Sequence, residues 1–297
     1  MRAIVVHEGG GPEVLVVEDV PDPEPAEGQV LVRLEAAAVN HFDVVQRADP
    51  AASGASTPYT PGLEGAGTRA DTGERVLVTG SRGTYAELIA APEENVWPIP
   101  DSLDTARAAA LGVAYKTAWA SLEDGGLESG NTLLVQAGSS GTGQAAIDIG
   151  RYRGATVYAT ASDSKHDRLR DLGAEPLSYD DPKIDDLGAD VTYDPVGGGA
   201  FEHSLASLAP GGRLVTPGAV DSPMVSVNLW ALIGKRARIF GTGSASVTRE
   251  EFAQLIELAG NGDLKPVIDR ELPLAEAAEA HRAIESREVF GKIVLRP

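Results

Sequence analysis

The sequence predicts an α/β protein: a β-rich unit, then a doubly wound parallel sheet, with the last segment of the chain returning to the first unit. Three observations carry this. Up to about Leu103, short strand patterns are punctuated by Gly and Pro. From about Asp104, strand and helix patterns alternate. The first strand of that second stretch runs through a glycine-rich turn into an amphipathic helix.

In the first stretch, residues 2–6 and 15–18 are short strand candidates. Residues 29–36 alternate in part and read as a clearer strand, and 75–78 and 85–89 follow. Short strands between Gly and Pro suggest a small barrel or sandwich. The Pro/Glu-rich residues 20–27 and the Ala/Ser/Gly-rich residues 48–57 read as surface loops.

In the second stretch, residues 132–136 form an apolar run suited to a parallel strand buried on both faces. The helix pattern after it reaches Arg153, with Ala145, Ala146 and Ile149 on one face. Residues 156–160 are a second strand and 165–172 a second helix. Further strands are expected at 191–193, 213–216 and 238–240. Thr248-Arg249-Glu250-Glu251 is a capping box, opening a helix that ends at Gly260. Residues 274–286 are helical in pattern, and 292–295 form a closing strand expected to pack on the first unit.

The chain has 44 acidic and 25 basic residues, a formal charge of −19, and only six lysines. Binding nucleic acid or an anionic membrane relies on cations that neutralise phosphate, so neither is expected as a partner. Acidity with scarce lysine reads as a highly hydrated, haloadapted surface, where salt screening tolerates the self-repulsion. There is no cysteine, which excludes disulfides and thiolate metal sites. No apolar run approaches the roughly 18 residues of a membrane span. The opening residues lack a secretory-signal pattern, so a cytoplasmic location is expected.

The turn after residues 132–136 reads Ala137-Gly138-Ser139-Ser140-Gly141-Thr142-Gly143. Small residues there let the backbone approach a pyrophosphate, and the helix behind them offers free N–H groups and a partial positive charge. The turn is not a strict G-x-G-x-x-G, but its strand–turn–helix context is the one that motif requires. NAD enzymes place Asp or Glu about 20 residues further on, to hold the ribose 2′-hydroxyl. This chain has Thr160-Ala161-Ser162 and then Lys165. A hydroxyl and an ammonium suit a 2′-phosphate, so NADPH is the expected coenzyme, with Asp163 as the dissenting residue.

Four motifs now line up: Ala38-Val39-Asn40-His41-Phe42-Asp43, the run from Pro58-Tyr59 to Gly65-Ala66-Gly67, the turn at 137–143, and Gly291-Lys292-Ile293-Val294-Leu295. Together they resemble the medium-chain dehydrogenase/reductase superfamily, and within it the zinc-free, ζ-crystallin-like quinone oxidoreductases. The resemblance covers essentially the whole chain. It implies a GroES-like β-rich catalytic domain at residues 1–103 and 263–297, and a Rossmann NADP-binding domain at 104–262.

Zinc-using relatives carry Gly-His-Glu where this chain has Gly62-Leu63-Glu64, and Leu63 cannot ligate zinc. A remnant metal site from His41, Asp43 and Glu64 is conceivable, but ordinary structural roles are favoured, and no metal is expected. The resemblance implies Asn40 near the nicotinamide and Thr117 near the nicotinamide or its phosphates. It puts Gly138, Ser139, Ser140, Gly141 and Thr142 at the pyrophosphate. Ser162 and Lys165 would face the 2′-phosphate, and Tyr179 would lie by the adenine. Phe240, Gly241 and Thr242 would close over the coenzyme, with Lys292 nearby. Asn40 and Tyr59 are the catalytic candidates, Tyr59 as the polar group of the substrate pocket. The segment between Gly67 and Gly73 is shorter than relatives usually have.

The expected reaction is metal-free transfer of a hydride from NADPH to a quinone or an α,β-unsaturated carbonyl, whose conjugation spreads the developing charge. An enoyl-thioester reductase and a non-catalytic, crystallin-like NADPH-binding protein are the alternatives. A homodimer joined near residues 238–240 is expected by analogy with relatives.

Overall fold

The computed structural model describes the backbone of residues 1–297 and all side chains but that of Ala245. Two compact units emerge. One comprises Met1–Val113 and Ala253–Pro297, and the other Ala114–Phe252. The texture of the sequence changes ten or so residues away from these divisions. The difference has a packing cause at the first of them: the short helix at Thr105–Ala109 buries Ala106, Ala108 and Ala109 on strands of the first unit.

The first unit opens with β1 (Arg2–Val5) and β2 (Val16–Asp19), an antiparallel pair. Then come β3 (Gln29–Ala38), α1 (His41–Ala48), β4 (Glu64–Arg69), β5 (Arg75–Thr79), β6 (Leu88–Pro92), β7 (Val96–Pro98) and α2 (Thr105–Ala109). The strand expected at 85–89 lies at Leu88–Pro92 instead. Tyr85 and Ala86 reach the first strand only through an isolated bridge, Ala3 to Ala86, and the bond from Ile4 N–H to Tyr85 O.

β4 reads Glu-Gly-Ala-Gly-Thr-Arg, which looks like a turn, yet it is an inner strand between β3 and β5. A Cβ on Gly67 would lie 1.9 Å from Arg33 O, so close backbone approach explains the glycine. The short segment before Gly73 is a tight hairpin: Arg69 N–H donates to Glu74 O and Gly73 N–H to Arg69 O, with Gly73 at φ 75°.

The second unit begins with α3 (Ala114–Asp124), β8 (Thr132–Val135), α4 (Gly141–Tyr152), β9 (Thr156–Thr160), α5 (His166–Asp171) and β10 (Glu175–Leu177). It continues through β11 (Ala189–Tyr193), α6 (Ala200–Ala206), β12 (Leu208–Thr216), α7 (Leu229–Lys235) and β13 (Arg238–Gly241) into α8 (Arg249–Asn261). The capping box at the head of α8 forms as expected. Thr248 N–H donates to Glu251 Oε2 at 2.7 Å and Glu251 N–H to Thr248 Oγ1 at 3.2 Å.

All six strands are parallel, in the order β10-β9-β8-β11-β12-β13. This is the doubly wound dinucleotide-binding order, with its switch point between β8 and β11. Leu133, Leu134 and Val135 are fully buried, as a strand covered on both faces requires. The two borders differ. β10 has three residues, one of them Pro176, whereas β13 is a four-residue edge without proline.

The chain then closes the first unit with β14 (Ile268–Pro273), α9 (Ala277–Glu285) and β15 (Lys292–Arg296). β15 pairs antiparallel with β3, which seats Lys292 beside the end of β3. Ala277, Ala280 and Ala283 of α9 enter a core with Ile4, Val39, Tyr85 and Ile293. No helix among the described residues is long and apolar enough to cross a membrane.

Candidate functional site

In the second unit, the glycine-rich turn joins β8 to α4. Ala137 opens it in the left-handed region, at φ 52°. Ala137 N–H donates to Thr160 Oγ1 at 3.0 Å, and that hydroxyl donates to Gln136 Oε1 at 2.7 Å. Gly138 N–H donates to Thr160 O at 2.8 Å. These bonds tie the turn to the end of β9. A Cβ on Gly138 would lie 2.7 Å from Ala159 Cβ, and one on Gly143 would lie 2.3 Å from Ala137 O. Ser140 caps α4, its Oγ accepting from Gly143 N–H at 3.0 Å. The N–H groups of Ser139, Gly141 and Thr142 donate to no protein atom among the described residues. Three unclaimed donors at a helix N-terminus fit the diphosphate of a dinucleotide.

Past the end of β9, Lys165 turns its ammonium toward this cradle, with Nζ 3.4 Å from Ser139 Oγ. Ser162 Oγ lies 3.4 Å from Ser164 Oγ. Tyr179 is half-exposed beyond β10. Ser121 of α3 links two predicted coenzyme residues: its hydroxyl donates to Thr117 O at 2.8 Å and lies 2.7 Å from Thr242 Oγ1. At the carboxyl ends of β12 and β13, a cavity of about 380 Å³ is lined by Gly197, Thr216, Gly218, Ser222, Gly241 and Thr242. Phe240 sits one residue earlier, paired with Val215.

In the first unit, Asn40 caps α1 and is buried. Its side chain is held on both sides. Lys292 Nζ donates to Asn40 Oδ1 at 2.6 Å, and Asn40 Nδ2 donates to Glu64 Oε1 at 3.0 Å. Lys292 also donates to Glu64 Oε1 at 2.8 Å, and Val113 N–H donates to Glu64 Oε2 at 2.6 Å. Glu64 is fully buried and Lys292 nearly so. The preceding Gly112 makes room, since a Cβ there would lie 2.8 Å from Glu64 Oε2. The result is a neutral, buried ion pair that orients an amide.

One turn along α1, Asp43 is fully buried. Its Oδ2 accepts from Asn40 N–H and from Tyr85 OH, both at 2.9 Å. Tyr85 OH also lies 3.3 Å from His281 Nε2 on α9. Burial, partly offset by these hydrogen bonds, pushes the Asp43 carboxyl up to about 6. Burial, with the Arg47 charge, pushes His281 down to about 3. Tyr59 is half-buried, its hydroxyl meeting no hydrogen-bond partner among the described residues. Burial and then the Asp43 charge push it up to about 12.

Asp43 and His281 have opposite effects on stability over one pH window. Between about pH 4 and 6, folded Asp43 keeps a proton that the unfolded chain has released, so its contribution falls as pH rises. His281 stays neutral while the unfolded chain takes up a proton below about pH 6.5, so its contribution falls as pH drops. Each amounts to several kcal/mol, on the order of 3–5. As pH rises from 4 to 6, the melting temperature of His281→Asn is therefore expected to fall relative to that of wild type, and that of Asp43→Asn to rise relative to it. Melting curves across that range check this, and parallel profiles for both variants would contradict it.

The structure thus gathers Gly138, Ser139, Ser140, Gly141 and Thr142 with Lys165, Thr117 with Thr242, and Asn40 with Lys292. Glu64 is the partner that sequence reading missed. It stands in a strand more than two hundred residues from Lys292, and its one local signal was the Gly62-Leu63-Glu64 run. The Asp43 and Glu64 carboxylates are engaged with Tyr85, Asn40, Lys292 and Val113.

A parallel six-stranded sheet with a diphosphate cradle, carried in one chain with a β-rich unit, defines a dinucleotide-dependent oxidoreductase. Residues 26–101 match the alcohol dehydrogenase GroES-like domain, and residues 171–295 match the zinc-binding dehydrogenase family. Quinone oxidoreductase of Rattus norvegicus is 33% identical, over 99% of this chain and 97% of that protein. An NAD-dependent alcohol dehydrogenase of known structure aligns with TM-score 0.93 and 34% identity, covering 100% of both chains. A mycobacterial protein complexed with NADPH aligns with TM-score 0.91 and 31% identity, also covering 100% of both. The chain belongs to the medium-chain dehydrogenase/reductase superfamily, in its quinone oxidoreductase branch, and is a nicotinamide-dinucleotide-dependent oxidoreductase. One of these neighbours is named as NAD-dependent and the other holds NADPH, so coenzyme preference varies among structures of this fold.

Proposed function

We propose that the chain is an NADPH-dependent reductase of quinones or α,β-unsaturated carbonyls that works without a metal ion. The observation that carries the coenzyme part is Lys165, whose ammonium lies against Ser139 of the diphosphate turn, where NAD enzymes place an acid. The reduced nicotinamide, when bound, supplies the hydride. The chain's own part is to bind and orient. The N–H groups of Ser139, Gly141 and Thr142 take the diphosphate, and Ser162 and Lys165 the 2′-phosphate. Thr117, Phe240, Gly241 and Thr242 border the nicotinamide half, and Tyr179 the adenine.

Asn40, fixed by Lys292 and Glu64, presents its amide to the reacting groups, with Tyr59 on the acceptor side. No metal is needed in this reading, because an ammonium already occupies Glu64 and Leu63 offers no ligand. After hydride transfer a conjugated acceptor carries the negative charge, and the single proton that completes the reduction comes from solvent.

The test is loss of reduced-nicotinamide absorbance in multimolar salt with quinones, enones and enoyl-CoAs. Turnover with quinones or enones is expected, and silence with both would refute the proposal. Lys165→Glu is expected to lower the NADPH-over-NADH preference roughly 10- to 100-fold, because it replaces attraction to a phosphate by repulsion. An unchanged ratio would remove Lys165 from the site.

We further infer a homodimer through β13. The stretch of chain leading into β13 carries Met224 and Trp230, 80% and 81% exposed, with the exposed Leu229 and Ile233. So large an apolar display on a chain of charge −19 is a partner surface. Gel filtration is expected to give twice the chain mass of 30.9 kDa, and Trp230→Glu to shift it to one. A wild-type protein eluting as a monomer would refute the dimer.

A further inference from the structure

We propose that Ser178 tunes the coenzyme preference by holding the carboxylate of Asp163 away from the adenosine ribose. This rests on the 2′-phosphate reading above. Asp163 stands in the stretch after β9 where a dinucleotide-binding acid grips a ribose 2′-hydroxyl. A free carboxylate there would accept from the hydroxyl of NADH and repel the 2′-phosphate of NADPH.

The structure shows how this one is diverted. Asp163 Oδ1 accepts from Ser178 Oγ at 2.5 Å. The same oxygen stands 3.7 Å from His166 Nε2. Ser178 directly follows β10, which pairs with β9 on the outer side of the sheet. Lys165 goes the other way. Its Nζ lies 3.4 Å from Ser139, in the turn that follows β8, and β8 pairs with β9 on the inner side. Neighbouring residues of opposite charge are thereby separated across the strand order β10-β9-β8, the anion toward the border and the cation toward the diphosphate cradle. Asp163 is thus turned from a competitor of the 2′-phosphate into a bystander.

The Asp163 side chain is 84% exposed, so solvent screens it and the effect is moderate. Dissociation constants for NADPH and NADH, read by nicotinamide fluorescence, test the idea in wild type, Ser178→Ala, Asp163→Asn and the double variant. Ser178→Ala is expected to lower the NADPH-over-NADH preference about 3- to 10-fold, as a freed carboxylate a few ångströms from a phosphate would. In the Asp163→Asn background the same substitution should change nothing, and Ser178→Thr, which keeps the hydroxyl, should retain the wild-type ratio. An unchanged ratio in Ser178→Ala overturns the proposal, and so does an equal shift in both backgrounds, which would make Ser178 a direct ligand. Failure of the parent reading looks different: wild type itself would bind NADH more tightly. Even then, dependence of the Ser178→Ala shift on Asp163 decides the proposal.

Discussion

Gly143→Ala is expected to raise the dissociation constant for the reduced coenzyme roughly 10- to 100-fold. The added methyl would sit 2.3 Å from Ala137 O and 3.0 Å from Gly138 Cα. Both are backbone atoms, which cannot swing aside as a side chain can. Ala137 is further pinned through its own N–H to Thr160 and already lies at positive φ. Relief must come from moving the turn off α4, a rearrangement of the overpacking kind that costs about 1–3 kcal/mol. It displaces the N–H groups meant for the diphosphate. Gly234→Ala is the control, since a Cβ there meets nothing within 4 Å. Fluorescence titration of both variants checks the expectation, and wild-type affinity in Gly143→Ala would show that the turn does not hold the coenzyme.

Lys292→Met is expected to have the largest effect on stability. It strands the Glu64 carboxylate, fully buried, with only the Asn40 amide and the Val113 N–H as partners. Removing one member of a buried pair costs about 3–5 kcal/mol, because the remaining charge has lost both its water and its counter-ion. For a protein of this size the melting temperature should fall by on the order of 10 °C. Glu64→Gln added to Lys292→Met should recover most of the loss, since no buried charge remains. The two variants should still share a lowered turnover, because Asn40 Oδ1 has lost its donor in both. A single variant that melts with wild type would mean that the pair contributes no such stabilisation.

The parts of this structure legible in the sequence are those with local causes. Apolar runs at 132–136 and 156–160 gave buried parallel strands, and Thr248 with Glu251 marked the start of α8. Gly138 to Gly143 announced the cradle through strand–turn–helix order. What escaped depends on contacts distant along the chain. β4 is hidden because its glycines, needed for close approach to β3, imitate a turn. Glu64, weighed from the sequence only as a remnant metal ligand or an ordinary structural residue, gains its partner when β15 brings Lys292 beside it. Tyr85, expected inside a strand, instead joins Asp43 to His281, two helices that share no pattern in the sequence. Asp163 looked like an objection to a phosphate until Ser178, fifteen residues on, was found holding it.

The unequal borders of the parallel sheet bear on how large an assembly can grow. Pro176 has no amide hydrogen, and β10 offers too few residues for another chain to template on it. The opposite border, β13, is one residue longer and carries no proline to blunt its outer peptide groups. Two copies meeting there about a two-fold axis would each use up the open side of the other. Growth through this sheet would then stop at a closed pair rather than run on into fibrils.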